Sequence, residues 1–86
     1  MRKTYRAVMK KYGADHQINK LHEEMAELTV AISHYREGRD SVFHIAEEIA
    51  DVRHLLEQME YLFDCEEVAE LWLNYKKKRL KELLED

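Results

Sequence analysis

Apolar residues recur at helical spacing in four stretches of the chain, separated by short polar links. Residues 2–12 predict a first helix that ends at Gly13, where a glycine commonly terminates a helix. Asp15 is the expected N-cap of a second helix, which runs to Gly38. Its apolar positions alternate steps of three and four residues and predict one buried face: Ile18, Leu21, Met25, Leu28, Ile32 and Tyr35.

The second half of the chain predicts two further helices. Ser41 is positioned to cap the third, and Asp64 with Glu67 forms a reciprocal capping pattern for the fourth, which ends by Asp86. The third helix has apolar positions at Ile45, Ile49, Val52, Leu55, Leu56, Met59, Leu62 and Phe63. No strand pattern competes. We therefore predict one all-α domain, residues 1–86: an antiparallel bundle of about four helices, completed by oligomerisation.

Two blocks of carboxylates interrupt this apolar pattern, one in each of the two middle helices. They comprise Glu23, Glu24, Glu27, Glu47, Glu48 and Asp51. Like charges three or four residues apart destabilise a helix by roughly 0.2–0.5 kcal/mol per pair. Glu48 falls on the apolar face, where an unpaired carboxylate is costly. The pattern predicts a cation between the helices, and oxygen ligands select a hard ion such as Mg²⁺ or Mn²⁺. The expected ligands are Glu24, Glu27, Glu48 and Asp51.

Length and charge narrow the functional classes. A chain of 86 residues with one cysteine has a marginal core and no disulfide, so we expect a homodimer or tetramer. A net charge of −4 argues against a nucleic-acid partner, and the apolar runs are too short for a membrane span. A single thiol suits the cytoplasm. In the fourth helix Arg79 continues an apolar row beside Lys76, and such an arginine is expected to seek an anion.

The acidic blocks resemble the signature of the MazG-like all-α nucleoside triphosphate pyrophosphatases, which is EExxE followed some twenty residues later by ExxD. Residues 23–27 supply the first element and residues 48–51 the second, with twenty residues between them. Lys76-x-x-Arg79 is similar to a basic element that such proteins place against the triphosphate. The resemblance covers the whole chain in helix order and length, and is closest to the short members from phages and bacteria.

The resemblance implies Mg²⁺-dependent hydrolysis of a nucleoside or deoxynucleoside triphosphate to the monophosphate and pyrophosphate. The four predicted metal ligands would bind the ions that neutralise the triphosphate and activate water for attack at the α-phosphorus. Glu23 or Glu27 is the expected general base. Lys76 and Arg79 would hold the phosphates that leave as pyrophosphate. The chain is near the minimum size for such a pocket, so a second subunit is expected to complete it.

The base and the sugar of the nucleotide are not identified by the sequence. His16 and Gln17, at the start of the second helix, are candidates for contacting the base. Two other functions stay open. One is a non-catalytic dimerisation or adaptor module whose carboxylates are solvated. The other is a di-iron carboxylate bundle, suggested by the spacing of Asp51 and His54, although such a site needs two elements of this kind.

Overall fold

The computed structural model describes residues 1–85 and contains four α-helices in that range. They are α1 (Arg2–Tyr12), α2 (Ala14–Arg36), α3 (Val42–Leu62) and α4 (Glu66–Glu85). These residues include no strand, which confirms the predicted all-α class. Asp86, the predicted end of the fourth helix, lies outside the described part of the chain. None of the four helices combines the length and the hydropathy that a membrane span requires.

The junction between α1 and α2 is a single glycine. Gly13 has φ 89° and ψ 155°, a conformation that is essentially restricted to glycine, and its N–H donates to the Met9 carbonyl at 2.9 Å. The predicted end of α1 is confirmed. Gly13 is also the N-cap of α2, so the prediction that Asp15 is the cap is wrong. Asp15 lies within the first turn instead, where its charge is favourable near the positive end of the helix dipole.

α2 ends in a Schellman motif centred on Gly38. The Gly38 N–H donates to the Tyr35 carbonyl at 2.9 Å, and the Arg39 N–H donates to the His34 carbonyl at 2.8 Å. Gly38 has φ 76°, in the left-handed region where glycine has no side-chain penalty. The chain then turns into α3, whose predicted cap is confirmed because the Ser41 hydroxyl accepts the His44 N–H at 3.2 Å.

α3 ends in the same way, but with an aspartate in the left-handed position. Asp64 has φ 50°, and its N–H donates to the Tyr61 carbonyl at 3.1 Å while the Cys65 N–H reaches the Glu60 carbonyl at 3.0 Å. Asp64 therefore terminates α3 and is not the N-cap of α4, which begins at Glu66. The predicted capping pattern is wrong because the same residue is needed to satisfy the carbonyls at the end of α3.

α2 and α3 form the main packing interface of the protein. The buried core of the protein is small. The buried apolar residues are Tyr5, Ala31, Leu55 and Met59, and as many polar residues are buried: Gln17, Glu24, Glu48 and Gln58. In α2 the buried line runs through Gln17, Glu24 and Ala31, seven residues apart. The apolar face predicted for α2 is therefore wrong at Met25, Ile32 and Tyr35, which are exposed. Glu24 and Ala31 lie in the interface, where the pattern favoured their neighbours Met25 and Ile32.

The two left-handed positions predict opposite effects of substitution. Gly38→Ala should lower the free energy of unfolding by about 1–2 kcal/mol, because alanine is strained in this conformation although its Cβ would meet no neighbouring atom. Asp64→Gly should leave stability unchanged or raise it, because it removes a side chain from the same conformation. Urea unfolding monitored by circular dichroism measures both. Equal destabilisation by the two changes would contradict the assignment of these helix ends.

Candidate metal centre

The two acidic blocks meet across the α2–α3 interface. Carboxylate oxygens of Glu24, Glu27 and Glu48 lie within 4.8 Å of one another, and oxygens of Glu47, Glu48 and Asp51 form a second such group. Glu48 belongs to both groups and joins them. The four carboxylates that the sequence predicts as ligands therefore come together, two from each helix.

Glu24 and Glu48 are the buried members of this cluster. Their residues are only 8% and 6% exposed, and one oxygen of each, Oε2, is buried without a hydrogen-bond partner in the described chain. A buried polar atom with no partner costs on the order of 1–3 kcal/mol, and more when it is charged. Two such atoms on facing helices make this the least satisfied place in the interface. A cation bound between the helices would satisfy both.

The other oxygen of each buried carboxylate has a basic neighbour. Lys20 Nζ lies 3.6 Å from Glu24 Oε1, and His44 Nε2 lies 3.2 Å from Glu48 Oε1. Contacts of this kind orient ligands in metal sites, because they fix the carboxylate while leaving its second oxygen available. The arrangement therefore holds one oxygen of each buried glutamate and leaves the other for a cation.

His44 is a member of the site that the sequence analysis missed. Its Nδ1 lies 2.6 Å from Asp40 Oδ2, so the ring links the carboxylate of Asp40 to that of Glu48. The hydrogen bond to Asp40 raises the pKa of His44, and the same bond, together with the Ser41 N–H, lowers the pKa of Asp40. The available signal was the spacing, since Asp40, His44 and Glu48 follow one another at intervals of four residues.

Crowding of like charges also affects Glu24. Burial raises the pKa of its carboxyl, and the neighbouring carboxylates of Glu27 and Asp51 raise it further, while Lys20 opposes them. Burial and the neighbouring carboxylates thus disfavour the ionised form of Glu24. A divalent cation would reverse this preference, because it interacts with the ionised carboxylates.

The donor set fits a hard cation. The clustered donors are all carboxylate oxygens, the ligands that Mg²⁺, Mn²⁺ and Ca²⁺ prefer. Within residues 1–85 no histidine joins either carboxylate group. His54, which suggested a di-iron site, packs edge-on against Tyr5 with ring centroids 6.3 Å apart. His54 therefore does not lie where a di-iron bundle would need its imidazole ligand.

The remaining predicted site residues lie outside the cluster. Glu23 belongs to neither carboxylate group and is 3.8 Å from Lys20 Nζ. Gln17 is buried, and its amide is engaged: Nε2 donates to Gln58 Oε1 at 2.8 Å, and Oε1 lies 2.7 Å from His16 Nδ1. The amide of Gln17 thus joins α2 to α3 and is not free to contact a base.

Lys76 and Arg79 lie on α4, which packs against α3 and contacts neither α1 nor α2 in the part of the chain described. Lys76 Nζ lies 5.9 Å from the centroid of the Trp72 ring. Neither basic residue forms an ion pair within residues 1–85. A single chain therefore does not bring this basic pair to the carboxylates of α2.

A cleft of about 420 Å³ opens beside the carboxylate cluster, in the size range of small-molecule sites. Glu27 and Glu48 lie on its wall, and the other lining residues are Ala26, Val30, Ala31, His34 and His44. Its apolar residues are small, and its carboxylates belong to the candidate metal site. The geometry thus places an apolar recess directly next to a cluster of anionic groups.

Comparisons of this chain with protein-family models, with curated proteins and with solved structures find no match. The resemblance in the acidic blocks therefore stays a prediction.

We expect Glu24→Gln to raise the free energy of unfolding of the metal-free protein by about 1–2 kcal/mol, because it removes a buried charge that faces other carboxylates. The exposed Glu23→Gln is the matched control and should change stability by less than about 0.5 kcal/mol. Urea unfolding in the presence of EDTA measures both variants. A Glu24→Gln protein less stable than the wild type would show that the carboxylate has a structural partner.

The Asp40–His44 pair predicts a pH dependence in the metal-free protein. Because the pKa of His44 is raised, the protonated ring stabilises the folded state fully below its ordinary pKa of about 6.5. This stabilisation is lost as the pH rises through the raised pKa. Because the pKa of Asp40 is lowered, the stabilisation from its ionised carboxylate is complete above about pH 4. Stability should therefore fall between pH 6 and 9, and His44→Gln should reduce that fall.

Urea unfolding in EDTA at pH 6 and pH 9 measures this difference. His22→Gln, which removes an exposed histidine on α2, should keep the wild-type pH dependence. Equal slopes for the wild type and His44→Gln would contradict the prediction.

Proposed function

We propose that this protein is a Mg²⁺-dependent nucleotide pyrophosphohydrolase, which cleaves a nucleoside or deoxynucleoside triphosphate to the monophosphate and pyrophosphate. The observation that carries the proposal is the buried pair Glu24 and Glu48, each with an unpartnered oxygen, within a carboxylate cluster that spans two helices. The adjacent apolar cleft supports a ligand larger than an ion. The substrate class comes from the resemblance of the acidic blocks to the MazG-like enzymes.

The metal ligands in this proposal are Glu24, Glu27, Glu48 and Asp51. Mg²⁺, or Mn²⁺ in its place, would neutralise the triphosphate and lower the pKa of a water molecule. Lys20 and His44 fix the two buried carboxylates from behind. This pre-organisation matters because a site built from mutually repelling groups would otherwise relax outward.

Glu27 is better supported than Glu23 as the base that takes a proton from the attacking water. Glu27 is exposed, belongs to the carboxylate cluster and lines the adjacent cleft. Glu23 is also exposed, but it belongs to neither the cluster nor the wall of the cleft. A general base must lie within hydrogen-bonding reach of the water that it deprotonates. Attack in line at the α-phosphorus would then release pyrophosphate.

The proposal places the nucleoside in the cleft beside the cluster, rather than against Gln17, whose amide is already engaged. The basic side chains that α2 and α3 bring to the cluster, Lys20 and His44, already contact Glu24 and Glu48, so the phosphates require further positive charge. Lys76 and Arg79 of a second copy are the proposed source, because α4 of the same chain does not contact α2. The active form is accordingly a homodimer or tetramer of antiparallel bundles, in the cytoplasm, where nucleoside triphosphates are made and used.

Purified protein should release pyrophosphate from at least one member of a panel of nucleoside triphosphates, and only when Mg²⁺ or Mn²⁺ is present. Glu48→Gln should reduce the rate by at least about 10²-fold, because Glu48 joins both carboxylate groups. Glu23→Gln is the matched control and should retain most activity. Release of orthophosphate instead of pyrophosphate would mean that a different phosphorus is attacked.

Thermal unfolding separates this proposal from the adaptor function. A ligand at one hundred times its dissociation constant stabilises the folded state by about 2.7 kcal/mol, so Mg²⁺ should raise the melting temperature of the wild type by several degrees. The shift should disappear in Glu48→Gln. If Mg²⁺ leaves the melting temperature of the wild type unchanged, the carboxylates do not form a metal site, and the adaptor function is favoured.

A further inference from the structure

The cleft beside the carboxylate cluster follows α2 for two turns. Glu27 and His34 both lie on its wall, and Val30 and Ala31 line it between them. Because Glu27 and His34 are seven residues apart on one helix, their positions are separated by about 10.5 Å along its axis. The cleft therefore has an anionic end at the carboxylate cluster and a second polar end at His34, with an apolar stretch between the two.

His34 is the polar side chain of this wall that no other group within residues 1–85 holds. Glu27 and Glu48 belong to the carboxylate cluster. Both ring nitrogens of His44 are engaged, Nδ1 with Asp40 at 2.6 Å and Nε2 with Glu48 at 3.2 Å. The imidazole of His34 forms no hydrogen bond or ion pair in the described chain. Its ring nitrogens are therefore available to a ligand in the cleft.

The end of α2 fixes the position of His34. Its carbonyl accepts the Arg39 N–H at 2.8 Å, in the Schellman motif centred on Gly38, and its side chain is half-buried. A residue on a helix that is closed in this way has a defined place relative to Glu27, two turns earlier. Sites built on helices hold their ligand contacts more precisely than sites on loops. His34 is thus suited to a selective contact.

The separation of the two polar ends suits a nucleotide. In an extended nucleotide the hydrogen-bonding edge of the base lies beyond the sugar, at a distance from the α-phosphorus comparable with two turns of an α-helix. With the α-phosphate at ions bound by Glu27 and Glu48, the base reaches the end of the cleft where His34 lies. A neutral imidazole offers one donor and one acceptor, so it can bond to a ring nitrogen, a carbonyl or an amino group of that edge.

His16, which the sequence analysis names as a candidate for the base contact, lies elsewhere. It is not among the residues that line the cleft, and its ring stacks on that of Tyr12 with centroids 5.3 Å apart. Of the chain's described histidines, His34 and His44 are the two on the wall of the cleft. The contacts of His44 with Asp40 and Glu48 leave His34 for the base.

We propose that His34 is a specificity-determining residue, whose imidazole forms a hydrogen bond with the base and selects among nucleoside triphosphates. This inference rests on the proposed function, because it starts from a triphosphate bound at the carboxylate cluster. The contact lies about two turns of helix from the reacting phosphorus, so it is made equally in the ground state and in the transition state. A contact of this kind lowers KM and leaves kcat unchanged.

Steady-state kinetics on a panel of nucleoside triphosphates test this role. His34→Ala should raise KM for the preferred nucleotide about tenfold and leave kcat within about twofold, because the lost hydrogen bond is remote from the chemistry. The preference among bases should narrow by the same factor. His22→Ala, which removes an exposed histidine of the same helix, is the matched control and should keep the wild-type KM and kcat.

Ribose 5-triphosphate separates a base contact from a general loss of activity, since this probe has the sugar and the triphosphate but no base. The wild type and His34→Ala should hydrolyse it at equal rates, which also shows that the variant is folded. If His34→Ala loses activity on this probe as it does on the preferred nucleotide, the proposal is overturned. His34 would then support the fold or the metal site and not the base.

Equilibrium binding distinguishes a failure of this inference from a failure of the proposed function. Isothermal titration calorimetry with Mg²⁺ measures the dissociation constants of α,β-imido nucleoside triphosphates, which cannot be cleaved at the α-phosphorus. A base preference in binding that His34→Ala abolishes, without pyrophosphate release from any natural triphosphate, would disprove the hydrolase proposal and leave the base contact standing. Pyrophosphate release with the same base preference in the wild type and His34→Ala would overturn the role of His34 and leave the hydrolase standing.

Discussion

The structure depends on an unfavourable contact: the facing carboxylates of Glu24 and Glu48 at the centre of its main helix pair. Elsewhere in small helical domains such positions are filled by leucine or isoleucine, and burial supplies the stability. Here each buried carboxylate has one oxygen held by a basic side chain and one without a partner. In the proposed function a bound cation completes this interface, and folding and ion binding would then be parts of the same equilibrium.

Much of the fold follows from the sequence, because helix positions depend on local patterns. Gly13 and Ser41 act where the pattern places them, since their effects involve only neighbouring backbone groups. Asp15 and Asp64 do not act as the predicted N-caps. Gly13 is the N-cap of α2, and Asp64 terminates α3 instead of capping α4. The acidic cluster was predicted from spacing alone. Its link through His44 to Asp40 was not, although the spacing of four residues gave a signal, because Asp40 precedes α3 and was interpreted as part of a polar link.

The rotation of α2 shows where sequence patterns fail in a protein of this type. Apolar periodicity favours a buried face through Met25 and Ile32, whereas Glu24 and Ala31 occupy the interface. A pattern that counts apolar residues assumes that they are buried within one chain. In this protein several of them lie on the outside, where a second chain can cover them. The predicted apolar face and the observed interface are thus two different faces of the same helix.

The buried amide pair of Gln17 and Gln58 has a consequence for how the two helices align. Gln17 precedes Glu24 by seven residues, and Gln58 follows Asp51 by seven residues, so both partners of the pair lie two turns from the acidic blocks. Leucine side chains tolerate a slide of one turn, but a hydrogen bond between two buried amides does not. The pair therefore fixes the register of α2 against α3. It ensures that the anionic groups of α2 arrive opposite those of α3, instead of being offset by about 5.4 Å.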